Sequence, residues 1–340
     1  MSSSTQSLTH TVQALLTQDK GILAADESFP TIKKRFEKTG IQDSKPARRE
    51  YREMLFTTPG IEKFISGVIM FDETIRQSSR DNVPFPKLLS DKRITPGIKV
   101  DQGKTPHPDS PREFITHGLE GLGERLEEYR SLGARFAKWR AVIVIGKDLP
   151  STQAIQDNAK LLAQYTHTCQ SHDIVPIVEP EVLMDGDHTI NKCMEVTTRT
   201  LQIVFEALQE KKVSLEHILL KPNMIVPGRD NPQKISPAQA ADTTLTVLHK
   251  TVPSSVPGIA FLSGGQTPKQ ATEILNKLLK RGPHPWILTF SFGRALQERA
   301  LHIWQGHTQN ISAAQTAFYK RAKLCSLAVK GEYDTMMENS

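Results

Sequence analysis

Short apolar runs recur eight times along the chain, and five of them close on ionisable residues. They occupy residues 21–25, 67–71, 97–100, 136–140, 175–179, 218–221, 258–262 and 286–290. Most are apolar throughout rather than alternating, the pattern of strands covered on both faces. Helical periodicity fills most of the gaps. Leu119, Leu122, Leu126 and Tyr129 precede the fourth run. Ile155, Ala159 and Leu162 precede the fifth, and Leu201, Val204, Phe205 and Leu208 the sixth. Ser236-Pro237-Ala238-Gln239 and Thr267-Pro268-Lys269-Gln270 read as capping boxes with proline in the first helical position. Strand–helix alternation repeated eight times predicts an α/β fold of the (β/α)8, or TIM, barrel type. The stretch 37–62 is helix-like but has few sharp boundaries. No linker or low-complexity break divides the 340 residues. One barrel domain over 1–340 is expected, with a short polar N-terminal segment (1–10) and a flexible C-terminal tail (about 331–340).

The charged strand ends constrain function. The first run leads into Asp26 and Glu27. The third reads Ile98-Lys99-Val100-Asp101, the fourth Phe136-Ala137-Lys138-Trp139-Arg140, and the fifth continues to Glu179-Pro180-Glu181. The sixth ends Leu219-Leu220-Lys221-Pro222. Residues i and i+2 of a strand share a face, so Lys138 pairs with Arg140 and Glu179 with Glu181. The outer face packs on apolar helices, where an ion costs several kcal/mol. These side chains are therefore expected inside the barrel, at the C-terminal mouth where active sites of this fold lie. One such charge alone reads equally well as a solvated strand end. Asp26, Lys99, Lys138, Glu179 and Lys221 at one level on five strands do not.

Lys221 is the sharpest candidate. Pro222 holds it extended, and an apolar floor beneath it together with the neighbouring Lys138 would lower its pKa and free a nucleophilic amine. Glu179 is a candidate proton shuttle. After the last two runs come Ser263-Gly264-Gly265-Gln266 and Ser291-Phe292-Gly293-Arg294. Glycine admits a close anion and arginine offers a planar fork, and this fold binds phosphate after its seventh and eighth strands.

Other chemistries find little support. Cys169, Cys193 and Cys325 are scattered and odd in number, matching neither a disulfide framework nor a metal spacing. The eleven histidines form no ligand motif; His188, in Asp185-Gly186-Asp187-His188, reads as part of a turn. Gly118-x-x-Gly121-x-Gly123 reads as a helix-start loop rather than a nucleotide motif. A net charge of +6 suits anionic substrates, but no basic run or aromatic-rich block indicates nucleic acid. No apolar stretch approaches the ~20 residues that cross a bilayer. Residues 1–11 lack the apolar core of a signal peptide. No metal, cofactor, nucleic-acid or membrane partner is expected, and the cytoplasm is the expected compartment.

In order along the chain, Leu23-Ala24-Ala25-Asp26-Glu27-Ser28, Gly97-Ile98-Lys99-Val100-Asp101, Phe136-Ala137-Lys138-Trp139-Arg140, Val175-Pro176-Ile177-Val178-Glu179-Pro180-Glu181, Leu219-Leu220-Lys221-Pro222-Asn223 and Phe261-Leu262-Ser263-Gly264-Gly265-Gln266 resemble the segments of class I, Schiff-base fructose-1,6-bisphosphate aldolases of the animal and plant type. Residues 286–295 resemble their last strand and phosphate loop, and the likeness runs over about 11–331. The resemblance implies reversible cleavage of fructose 1,6-bisphosphate to dihydroxyacetone phosphate and glyceraldehyde 3-phosphate. It implies Lys221 as the imine-forming lysine, Glu179 as its acid/base, Asp26 as the carboxylate of C–C cleavage and Lys138 as its electrostatic aid. Glu181 and Arg140 tune the site. Ser263, Gly264 and Arg294 hold the 1-phosphate, with Gly265, Ser291 and Gly293 in the same loops. Ser28 and Lys99 handle the second phosphate, with Thr31 and Lys34 as further partners. A homotetramer is the family habit.

Two departures stand out. Phe29-Pro30 replaces the usual Thr-Gly, and the chain shows Met336-Met337-Glu338-Asn339-Ser340 where the family tail ends in a tyrosine that closes on the site. The residues alone leave open another phosphosugar lyase or isomerase on the same barrel; the intact charge set argues against a non-catalytic scaffold.

Overall fold

The structure, a computed structural model, describes residues 3–339. Its strands are β1 (Gly21–Ala25), β2 (Ile65–Met70), β3 (Thr95–Lys99), β4 (Lys104–His107), β5 (Ser110–Thr116), β6 (Phe136–Ile143), β7 (Val175–Val182), β8 (Leu219–Leu220), β9 (Gly258–Phe261) and β10 (Ile287–Phe292). Its helices are α1 (Ser3–Leu15), α2 (Phe29–Glu37), α3 (Lys45–Phe56), α4 (Asp72–Ile75), α5 (Phe85–Asp91), α6 (Leu122–Ser131), α7 (Thr152–Ser171), α8 (Ile190–Glu210), α9 (Pro237–Thr251), α10 (Pro268–Leu279), α11 (Arg294–Trp304) and α12 (Ile311–Val329). Eight parallel strands close in the order β1-β10-β9-β8-β7-β6-β3-β2, and helices surround them. The chain is a (β/α)8 barrel.

Two apolar layers follow from strand alternation. Ile22, Ala24, Ile69, Phe136, Val175, Ile177, Leu219 and Ala260 form the inner cluster. Leu23, Ala25, Val68, Ala137, Trp139, Val178 and Leu220 face the helices. Glycines make room for the inner layer. A Cβ on Gly97 would fall 2.2 Å from the Phe136 ring, and one on Gly67 or Gly258 would strike Leu15 or Leu16 at 2.6 or 2.4 Å. Leu15 ends α1 and Leu16 follows it, and Leu8, Val12 and Leu15 of this helix plug the N-terminal end of the barrel. The polar segment 1–10 is thus largely the start of a helix that fills the floor; residues 1 and 2 lie outside the described residues.

Several boundaries differ from the sequence reading. β6 and β7 run on past Arg140 and Glu179, because their inner side chains pair with each other instead of meeting water. β10 extends through Ser291, which therefore sits in the strand. β8 is only two residues long, since Pro222 ends the ladder. The hairpin β4–β5 has no counterpart in the sequence reading; it stands over the mouth, held by Asn158 of α7 on the Phe114 carbonyl at 2.8 Å. The capping box at Thr267 and Gln270 is complete, and Ser236 accepts from the Gln239 amide at 3.1 Å. Gly121 is the left-handed N-cap of α6.

The segment read as a tail folds back on α10 and α12. The Asn276 side chain exchanges two hydrogen bonds with the Tyr333 backbone, at 3.0 and 3.1 Å. The Tyr333 hydroxyl donates to Glu338, which pairs with Arg321 at 2.7 Å. Ser340 lies outside the described residues.

Candidate active site

Alternation and register aim the charges at one point. Ile22 and Ala24 face inward, so Asp26 follows them; Phe136 leads to Lys138, Val175 and Ile177 to Glu179 and Glu181, and Leu219 to Lys221. Lys99 pairs in register with Lys138 and Arg140 with Glu179. Leu220 pairs with Val178, and the Lys221 amide donates to the Val178 carbonyl at 2.8 Å, which sets Lys221 beside Glu179.

The resulting cluster is dense and nearly dry. Lys221 Nζ lies 3.2 Å from Glu179 Oε1, and Lys138 Nζ lies 3.4 Å from Glu179 Oε2. Lys138 Nζ also meets Asp26 Oδ2 at 2.7 Å. Arg140 Nε bonds Glu181. Lys138, Glu179 and Lys221 are each under 5% exposed. Burial alone would raise the Asp26 carboxyl, but the Lys138 ammonium, backed by Lys221 and Lys99, holds it well below the usual carboxylate range. Burial alone would lower Lys138, but Asp26, Glu179 and Asp101 raise it well above an ordinary lysine. Asp26 is therefore fixed as an anion and Lys138 as a cation.

A cavity of about 250 Å³ sits over this cluster. Ser28, Thr31, Lys99 and Arg140 line one side; Ser263, Gly264, Ser291, Gly293 and Arg294 line the other. Arg294 begins α11 and donates from Nη2 to the Gly264 and Gln266 carbonyls at 3.3 and 2.8 Å, binding the two loops together. The buried Ser291 Oγ has no hydrogen-bond partner among the described residues. Two expected residues fall outside. Gly265 turns toward Arg229, where a Cβ would come 2.7 Å from the guanidinium. Lys34 is exposed on the outer part of α2 and lines neither this cavity nor its neighbour. That neighbour, about 720 Å³, opens beyond Ser28, Thr31, Lys99 and Arg140, which line both.

Phe29-Pro30 does not form a loop. It starts α2, with Ser28 as N-cap. The Phe29 ring meets Phe71 edge-on at 5.1 Å and lies under the Arg48 guanidinium at 4.8 Å.

Sequence reasoning missed a second layer. Asp101 Oδ1 is 2.5 Å from Lys99 Nζ. Glu27 pairs with Arg35 and with Arg52 of α3, and Gln297 of α11 bonds Glu27 and the Ala24 carbonyl at 3.1 and 2.7 Å. The repeat Lys99-Val100-Asp101 was a usable sign for Asp101; Arg52 and Gln297 offered none.

The chain matches the family model described as fructose-bisphosphate aldolase class-I over residues 7–340. It is 50% identical over 331 residues to the "Probable fructose-bisphosphate aldolase class 1" of Xanthomonas campestris pv. campestris, covering 97% of this chain and 99% of that one. It is 50% identical over 327 residues to "Fructose-bisphosphate aldolase 5, cytosolic" of Arabidopsis thaliana, covering 96% and 91%. The solved fructose-bisphosphate aldolase from Plasmodium falciparum, in complex with TRAP and a small-molecule inhibitor, superposes with a TM-score of 0.96 at 46% identity, over 98% of this chain and 97% of that one. The chain belongs to the class I fructose-bisphosphate aldolase family.

Proposed function

We propose that Lys221 carries the Schiff base of this aldolase and that Glu179, Asp26 and Lys138 run its proton chemistry. The observation that carries this reading is the 3.2 Å approach of Lys221 Nζ to Glu179 Oε1 inside the barrel mouth. The Lys221 ammonium hands a proton to Glu179, and the freed amine attacks the substrate ketone. The nitrogen passes one proton to the resulting alkoxide, and Glu179 then protonates the hydroxyl so that it departs as water, leaving an iminium. Asp26, held ionised, takes the proton of the C4 hydroxyl as the C3–C4 bond breaks, and the electron pair moves to the imine nitrogen. Lys138 keeps Asp26 charged and steadies the developing oxygen charge. The phosphate next to the ketone rests on Ser263, Gly264 and Arg294, and the distal phosphate on Ser28, Thr31 and Lys99.

The test is borohydride reduction in the presence of dihydroxyacetone phosphate, followed by peptide mapping. The adduct is expected on the peptide holding Lys221; an adduct on Lys138 or Lys99 overturns the assignment.

The corresponding readings for assembly and compartment are a homotetramer and the cytoplasm. The Arabidopsis relative, named as cytosolic, supports the second. No helix among the described residues is long and apolar enough to cross a membrane. Sedimentation velocity tests the first, with a monomer as the refuting outcome.

A further inference from the structure

We propose that Asp101 sets how strongly the site selects a substrate with a distal phosphate, by competing with that phosphate for Lys99. The proposal rests on the reading of Lys99 as the distal-phosphate cation.

Lys99 and Asp101 stand two residues apart at the end of β3. Lys99 Nζ is held twice by the same residue, 2.5 Å from Asp101 Oδ1 and 2.6 Å from the Asp101 carbonyl. The other carboxylate oxygen accepts from the Arg140 amide at 3.3 Å and lies 3.8 Å from Lys138 Nζ. Asp101 is buried, so its orientation is set by these contacts rather than by solvent.

Four cations of the mouth each have a nearest carboxylate. Lys138 has Asp26, Lys221 has Glu179, Arg140 has Glu181 and Lys99 has Asp101. Asp26, Lys138, Glu179 and Lys221 carry the proton chemistry proposed above, while Arg140 and Glu181 bind each other. Asp101 has no part in that chemistry, and its direct partner is the cation at the seam of the two cavities, which Lys99 lines on both sides. A phosphate arriving at Lys99 meets an ammonium already satisfied by a carboxylate. It must displace that carboxylate or share the cation with it, and two anions at one ammonium repel. A monophosphate bound through its ketone end never meets this competition. Asp101 therefore lowers selectivity for bisphosphates while leaving the cleavage chemistry in place, which is specificity set by a repulsive element.

The experiment measures kcat/KM for fructose 1,6-bisphosphate and for fructose 1-phosphate with the full chain and with Asp101→Asn. Asparagine keeps the shape and an acceptor for the Arg140 amide but removes the charge. The ratio of the two values is the readout, because any disturbance of Lys138 acts on both substrates. The ratio is expected to rise about 5- to 30-fold, the scale of one charge-assisted bond. An unchanged ratio, even with both activities reduced, makes Asp101 merely structural. A fall makes it a holder that presents Lys99 to phosphate. Either result overturns the proposal. Lys99→Met separates the two layers of the argument. If it fails to lower the ratio, the reading of Lys99 itself falls. If it lowers the ratio, Asp101→Asn must add nothing in its presence, and an additive change refutes action through Lys99. Should Asp101→Asn not fold, Asp101→Ser carries the same comparison.

Discussion

Asp26 and Lys138 meet across the barrel mouth at 2.7 Å, from the ends of β1 and β6, and each fixes the charge of the other. The carboxyl lies below its ordinary value of 3.8. Its stabilising contribution is therefore present above pH about 4 and is lost as pH falls through the depressed folded value. Lys138→Met removes the strongest of the positive charges that offset burial at this carboxyl. The Asp26 carboxyl then rises, and the acid limb of the pH–kcat/KM profile is expected to shift to higher pH, with a loss of about 10²- to 10⁴-fold at the optimum. An acid limb that stays in place would show that Asp26 does not depend on Lys138.

Arg294 ties the Gly264 loop to the start of α11 and presents its guanidinium to the cavity. A bidentate arginine–phosphate contact in a partly dry site contributes roughly 2–4 kcal/mol. Arg294→Ala is expected to lower kcat/KM by about 30- to 1000-fold. Steady-state cleavage of fructose 1,6-bisphosphate checks this, and a loss under about threefold moves the phosphate elsewhere.

Cleavage is expected to survive EDTA. In the mechanism proposed above, the protonated imine takes the electron pair that a metal-bound carbonyl would otherwise accept. Activity abolished by the chelator and restored by zinc contradicts this mechanism.

Much of the site was legible because a strand has only two faces. Once residues 136–140 and 175–181 were read as strands, Lys138, Arg140, Glu179 and Glu181 had to share the interior, and their register confirms it. The floor was harder. Leu8, Val12, Leu15 and Leu16 follow helical spacing, but threonine, histidine and glutamine between them gave α1 a polar look. Glu27 shows where sequence reasoning stops. Its partners Arg52 and Gln297 lie 25 and 270 residues away on helices with no local sign of the contact. Only the closed barrel brings them together. Phe29-Pro30 was legible as a departure but not as a helix start, since its helix is nine residues long and opens without a side-chain cap bond.

That helix start leads to the last prediction. Ser28 and Thr31 line the cavity near Lys99, and the free N–H groups of a helix's first turn attract anions. Pro30 removes one of those donors, and Phe29 lies against Phe71 and Arg48, where it offers an apolar face. Thr-Gly at these positions would supply a backbone N–H and a hydroxyl to a distal phosphate. Changing Phe29-Pro30 to Thr-Gly is expected to raise the ratio of kcat/KM for fructose 1,6-bisphosphate over fructose 1-phosphate by roughly 10- to 100-fold, the worth of one hydrogen bond to a charged group. The ratio is the right measure, because loss of Pro30 also loosens the first turn of α2 and lowers both activities together. A ratio that does not rise means that Phe29-Pro30 only stiffens this turn, and that distal selectivity resides in Lys99 and its neighbours.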